Sequence, residues 1–310
     1  MPWQCLPIAS YLWEVQHRLS GGSLGRSEPS GLCLTAFFLT FRPVRLCRNE
    51  VRTKMNEHSV EPQAAMEPPA TPPSAPIFNL PGPVLAALGL LGLIYAVQST
   101  LLSGNALDWL FFNFGFIPLR YITPLSEQGP QLFWTPITYS LLHGSIEHIV
   151  FNGLWLMAFG TPVARRIGTF RFLVFWVLSA VASAALHAAL NWGEATLLIG
   201  ASGVVSGLMG AACRFAFPPE QRITRPAHLN PRLSMVESFR SRTVVAFILF
   251  WFVGNILIAV GVPLIGDGSQ AIAWDAHIGG FIFGFALFGL FDRKPPEPPP
   301  TSETSDILQS

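Results

Sequence analysis

Half of this 310-residue chain is hydrophobic, only 12% is charged, the net charge is +1 and the mean hydropathy is +0.43. A soluble globular domain carries about twice that share of charge, so a water-soluble fold is excluded. No basic cluster with interleaved aromatics points to nucleic acid, and Cys5, Cys33, Cys47 and Cys213 have neither metal-type spacing nor the pattern of a disulfide framework.

Residues 1–80 read as an N-terminal tail, basic at first and then rich in proline and alanine. Within it, the apolar run 31–41 is too short to cross a bilayer. It is followed by Arg42, Arg45 and Arg48 rather than by a small-residue cleavage site. Two readings of residues 1–54 stand side by side: a basic targeting segment, or a non-native stretch ahead of a start at Met55. The first expected span is 83–102. Residues 103–134 are rich in aromatics and suit a loop at the membrane interface. Further spans are expected at 137–159, 170–190, 198–217, 244–262 and 273–291, with Gly160-Thr161-Pro162 ending the second. Residues 293–310 read as a disordered proline-rich tail.

Arginines gather after the second span (Arg165, Arg166, Arg171) and after the fourth (Arg214, Arg222, Arg225, Arg232, Arg240, Arg242). The positive-inside rule then gives an all-α polytopic membrane protein of six spans, residues 81–292, with both termini cytoplasmic. In that orientation even-numbered spans run inward from the outer face.

Ionisable and polar residues inside a membrane are functional hypotheses by default. Here they are His143, Glu147, His148 and Asn152 in the second span, His187 in the third, Ser202 in the fourth and His277 in the sixth. Ser202 and His277 each lie about one turn into an inward-running span, hence at matched depth. Ser202 opens a run of small residues (Gly203, Ser206, Gly207, Gly210), and His277, Gly280 and Gly284 share one helical face. Taken alone, such stripes are packing seams that let backbones approach. Facing each other, they would bring an imidazole to a serine hydroxyl, the pairing that makes serine a nucleophile. The Ser202 amide, in the first turn of its helix, with Asn152 and His148, would supply oxyanion donors. No acidic third member is visible: Asp275 is expected in a loop, pointing away from His277. His187 is expected to snorkel at the outer end of its span, and Glu147 is assigned no role. Zinc is disfavoured, since His143 and His148 are spaced i,i+5 and no HExxH occurs.

His143-x4-His148-x3-Asn152, Gly200-Ala201-Ser202-Gly203 and Ala276-His277-x2-Gly280-x3-Gly284 together resemble the rhomboid family of intramembrane serine proteases, over residues 84–292. The resemblance implies a six-helix rhomboid-like bundle with Ser202 as nucleophile and His277 as general base. It also implies oxyanion and substrate-binding roles for His148, Asn152, His143 and Gly200, transmembrane proteins in the lipid bilayer as substrates, and no metal or cofactor. Two positions depart from the pattern. Trp134 is followed by Thr135 where the family often has Arg, and Ser206 stands where some members stack an aromatic on the histidine. A bacterial plasma membrane, with the site open to the outer (periplasmic) side, is the expected location. The fifth span, whose only polar residue is Asn255, is the expected gate, and 266–274 the expected lid. Two other classes stand as alternatives: a rhomboid-like pseudoenzyme that binds or chaperones membrane proteins, and a small transporter, for which no inverted repeat is seen.

Overall fold

The computed structural model describes residues 79–219, 226–260 and 272–292. The expected tails, the lid up to residue 271, and Cys5, Cys33 and Cys47 lie outside the described residues, apart from Asn79 and Leu80.

The described residues are helical, with one isolated antiparallel bridge, Phe116 to Leu198, and no strand. Ten α-helices follow one another: α1 (Gly82–Leu101), α2 (Asn105–Phe114), α3 (Thr135–Thr138), α4 (Ile146–Trp155), α5 (Thr161–Ile167), α6 (Thr169–Leu190), α7 (Ser202–Ala212), α8 (Met235–Ser238), α9 (Arg242–Ala259) and α10 (Trp274–Leu287). Three of them, α1, α6 and α9, are long and apolar enough to cross a membrane. α7 and α10 are shorter apolar helices.

The sequence reading of the second span is corrected in two places. His143 is not on a helix: it follows the 3-10 turn Tyr139–Leu141, in an irregular stretch that ends where Ser145 caps α4, its side chain accepting from the His148 N–H. At the C-terminal end of the expected span, Gly160-Thr161-Pro162 does not stop the chain. α4 runs through a π-helical turn, Leu156–Gly160, directly into α5. Proline lacks the N–H of an ordinary helical bond and crowds the preceding turn, and the wider π turn takes up that misfit. The stop comes at Gly168, whose φ of 78° admits no ordinary side chain comfortably.

The fourth span is also shorter as a helix than its apolar run. Gly200, at φ 116°, turns the chain, and α7 begins at Ser202. Its 11 residues reach only about 16 Å. All ten residues after Ser202 are buried. Serines of α6 press on the glycines of α7 (Ser183 on Gly203, Ser179 on Gly207), and α10 covers the neighbouring face. By contrast only Val244 and Asn255 are buried in α9, and Phe250 is 80% exposed.

One end of the bundle is clasped by arginines. Arg166 makes a two-bond ion pair with Asp292 (2.8 and 2.9 Å) and also donates to the carbonyls of His228 and Asn230. Arg171 and Arg232 donate to the carbonyls of Phe291 and Gly289. At the other end lies the polar cluster described next.

Candidate active site

The site is built on a backbone contact. A Cβ added at Gly280 would fall on the Gly203 carbonyl oxygen, and one at Gly284 on the Gly207 carbonyl oxygen. The partners follow the same order along both helices, so α7 and α10 run parallel with their main chains touching. Only residues without a side chain permit this approach. His277 lies one turn before Gly280 and Ser202 one residue before Gly203, so both stand at the same end of the seam. Both are half-buried.

Around the start of α7 the other predicted residues assemble. The Gly200 N–H donates to the Tyr139 carbonyl at 2.9 Å, which holds the turn that presents Ser202. The His148 ring lies against Gly200, where a Cβ would collide with Cε1 and Nε2. His148 is edge-on to His143, with ring centroids 5.0 Å apart. His143 Nε2 in turn bonds the Asn152 amide at 3.0 Å. The main chain of His143 is held on both sides by Gln98 of α1, whose Nε2 donates to the His143 carbonyl at 2.8 Å and whose Oε1 accepts from its N–H. As helix-start donors, the amides of Ser202 and Gly203 have no intrahelical acceptor.

Ser202 and His277 are not hydrogen-bonded to each other. His277 Nδ1 is instead 2.9 Å from Asn255 Oδ1 of α9. In the sequence Asn255 stands out only as the lone polar residue of an apolar span, and that isolation is the signal it carries.

Two further expectations are corrected. His187 does not snorkel but is buried, and Asp275 is not in a loop but in the first turn of α10. They form a pair at 2.9 Å, with Asn191 Nδ2 on the other carboxylate oxygen and Thr196 Oγ1 at His187 Nε2. Asp275 is therefore engaged away from His277. Glu147 is exposed at the start of α4. Among the described residues no group of three or more His, Cys, Asp or Glu is placed to hold a metal ion.

The departure at Thr135 has a structural counterpart. Arg120, Trp134 and Thr138 donate to three successive carbonyls, Phe112, Asn113 and Phe114, that end α2. The Arg120 guanidinium also lies over the Phe112 ring, 4.3 Å from its centroid. An arginine from another point of the loop thus fastens the C-terminal end of α2, where a cation is favoured.

Residues 130–293, just over half of the chain, match the model of the Rhomboid domain. This chain belongs to the rhomboid family. Among curated rhomboids it is 32% identical over 162 residues to the rhomboid protease GlpG of Pectobacterium atrosepticum, covering 52% of this chain and 49% of that protein. It is 30% identical over 173 residues to that of Yersinia pestis, covering 54% and 51%. With that of Photorhabdus laumondii the identity is 26% over 186 residues, covering 60% and 57%. The chain thus spans about half the length of the rhomboid relatives it matches. The rhomboid match ends at residue 293, one residue after the Asp292 clasp. With its exposed apolar helices, this rhomboid is an integral membrane protein.

Proposed function

We propose that the chain is an intramembrane serine protease that cleaves transmembrane proteins in or near their membrane segments, with Ser202 as nucleophile and His277 as general base. The observation that carries this reading is the glycine seam, which aligns Ser202 and His277 at one end of two parallel helices with the His148 ring over Gly200. GlpG relatives named as rhomboid proteases support the activity.

In this mechanism the Ser202 Oγ attacks the scissile carbonyl carbon while its proton passes to His277 Nε2. Negative charge develops on the carbonyl oxygen, in reach of the Ser202 amide at the positive end of α7 and of the His148 and Asn152 side chains. His143, bonded to Asn152 and packed on His148, orients both. Collapse of the tetrahedral intermediate breaks the C–N bond, and the leaving amine takes the proton from His277. Water activated by the same histidine then hydrolyses the acyl-enzyme.

Residues 81–292 form the membrane domain in this reading, with six passes, 1–80 and 293–310 as tails, and both termini cytoplasmic. The arginine clasp marks the cytoplasmic side and the site opens to the outer side of a bacterial plasma membrane. The site lies where a substrate helix must unwind before its hydrogen-bonded backbone can be attacked. The GlpG proteins compared come from bacteria, which supports that location.

The deciding experiment is labelling with a fluorophosphonate probe, followed by cleavage of a single-span substrate in proteoliposomes. Ser202→Ala should abolish labelling, and Ser202→Ala and His277→Ala should each lower cleavage at least roughly 10³-fold. Undiminished cleavage in both variants would refute the mechanism. Partner effects that persist in Ser202→Ala cells would favour the binding or chaperoning reading.

A further inference from the structure

We infer that Asn255 is a positioning residue for His277: its side-chain oxygen accepts a hydrogen bond from the Nδ1–H, fixes the imidazole tautomer that leaves Nε2 free as base, and makes the site a serine–histidine–asparagine relay. The inference rests on the protease reading above and adds a third member from α9, the least buried of the three membrane-capable helices.

The amide orientation is set by its own surroundings. Asn255 Nδ2 donates to the Trp251 carbonyl, one turn back in α9, at 2.8 Å. With the nitrogen so engaged, the oxygen is the atom that faces His277, at 2.9 Å from Nδ1. An amide oxygen only accepts, so the imidazole nitrogen opposite it carries the proton. The other nitrogen, Nε2, is then unprotonated in the neutral ring and can accept from a hydroxyl.

Register between the two helices is fixed by a second contact. The Trp251 indole stacks on Phe281 of α10, with centroids 4.5 Å apart and planes 25° from parallel. Trp251 is one turn from Asn255 and Phe281 one turn from His277, so the two contacts are successive rungs between antiparallel helices. Asn255 is buried, although most of α9 is exposed. Burying an amide in an apolar setting is costly unless both ends are bonded, and here both are.

The arrangement also answers for Ser206. That residue stands where an aromatic ring could stack on the histidine, and no ring contact to His277 occurs among the described residues. An in-plane hydrogen bond from α9 replaces the stacking face. During attack the proton from Ser202 stops on Nε2 and the Nδ1 proton stays on Nδ1. Asn255 neither gains nor loses a proton; its dipole stabilises the imidazolium that forms.

The test uses the full chain in detergent and in proteoliposomes, comparing wild type, Asn255→Leu and Asn255→Asp. Asn255→Leu is expected to slow fluorophosphonate labelling and to lower kcat roughly 10- to 100-fold, with KM within about twofold and thermal stability near wild type. Asn255→Asp, which still accepts at Nδ1, should recover most of the loss. Independently of activity, 15N NMR of labelled histidines, with His277→Ala to assign the signal, should show His277 protonated at Nδ1 in wild type. In Asn255→Leu the proton should move to Nε2. Wild-type labelling and kcat in Asn255→Leu, or a His277 tautomer unchanged by that substitution, would overturn the inference while leaving the protease reading intact. Absence of Ser202-dependent labelling in the wild type would overturn both. A merely structural Asn255 would lower stability without moving the tautomer, and that outcome also counts against the relay.

Discussion

α7 and α9 sit on two sides of α10 and are held to it by opposite means. α7 meets α10 backbone to backbone, at Gly203–Gly280 and Gly207–Gly284, and every residue after Ser202 is buried. α9 presents large apolar side chains outward, including Phe250 and Leu249, and touches α10 through a few side chains: Asn255 on His277 and Trp251 on Phe281. The first interface has no slack, because a glycine–glycine contact has no rotamers to adjust. The second can separate and reform by side-chain rotation. In the protease we propose, a site that must stay aligned yet admit a helix from the bilayer would draw on one interface of each kind.

Filling the rigid seam should therefore have the largest effect. Gly284→Ala places a methyl on the Gly207 carbonyl, where only the main chain could yield. We expect a loss of at least ~3 kcal/mol, beyond ordinary overpacking, seen as a collapsed thermal transition in detergent. Phe250→Ala on α9 should move stability by no more than about 0.5 kcal/mol. Equal effects would erase the contrast. Next comes the clasp at the far end of the bundle. Asp292→Ala takes the carboxylate from the buried Arg166 guanidinium but leaves its carbonyl acceptors on His228 and Asn230, so the cost should not exceed about 3 kcal/mol, the low end for breaking a buried pair. Thermal unfolding should show it, with labelling of the remaining folded protein unchanged. The smallest effect is at α8, where Ser234 and Glu237 form a capping box. Hydrogen bonds from the Ser234 backbone and hydroxyl hold the Glu237 carboxyl below its ordinary range. The unfolded chain then binds the proton first as pH falls, so the contribution is full above about pH 4.5 and is lost as pH drops through the folded value. Glu237→Gln should flatten that small acid-side slope in the Tm of the α8–α9 region and leave the seam untouched.

Much of this was legible because membrane helices announce themselves by composition. The ranges expected for α1, α6 and the start of α9 differ from those observed by no more than two residues at the ends compared, and the glycine face of α10 was readable from the spacing of His277, Gly280 and Gly284. Hydropathy, however, reports burial in apolar surroundings and not helical continuity. It could not place His143 off the helix, carry the chain past Pro162 through a π turn, or begin α7 as late as Ser202. Pairings between distant residues were also hidden. His187 and Asp275 are far apart in sequence, and each looked like an end-of-span residue until helix packing joined them. Asn255 was visible as an oddity, yet only the tilt and register of α9 against α10 direct it to His277.

The arginine clasp and the glycine seam share one dependence: both are completed by residues 274–292, which follow every other described element along the chain. Until residues 274–292 arrive, the short α7 has no mate for its glycine face, Arg166 lacks Asp292, and Ser202 lacks His277 at its end of the seam. In the protease we propose, competence to cut is acquired in the same step that finishes the fold, so synthesis itself serves as the safety catch.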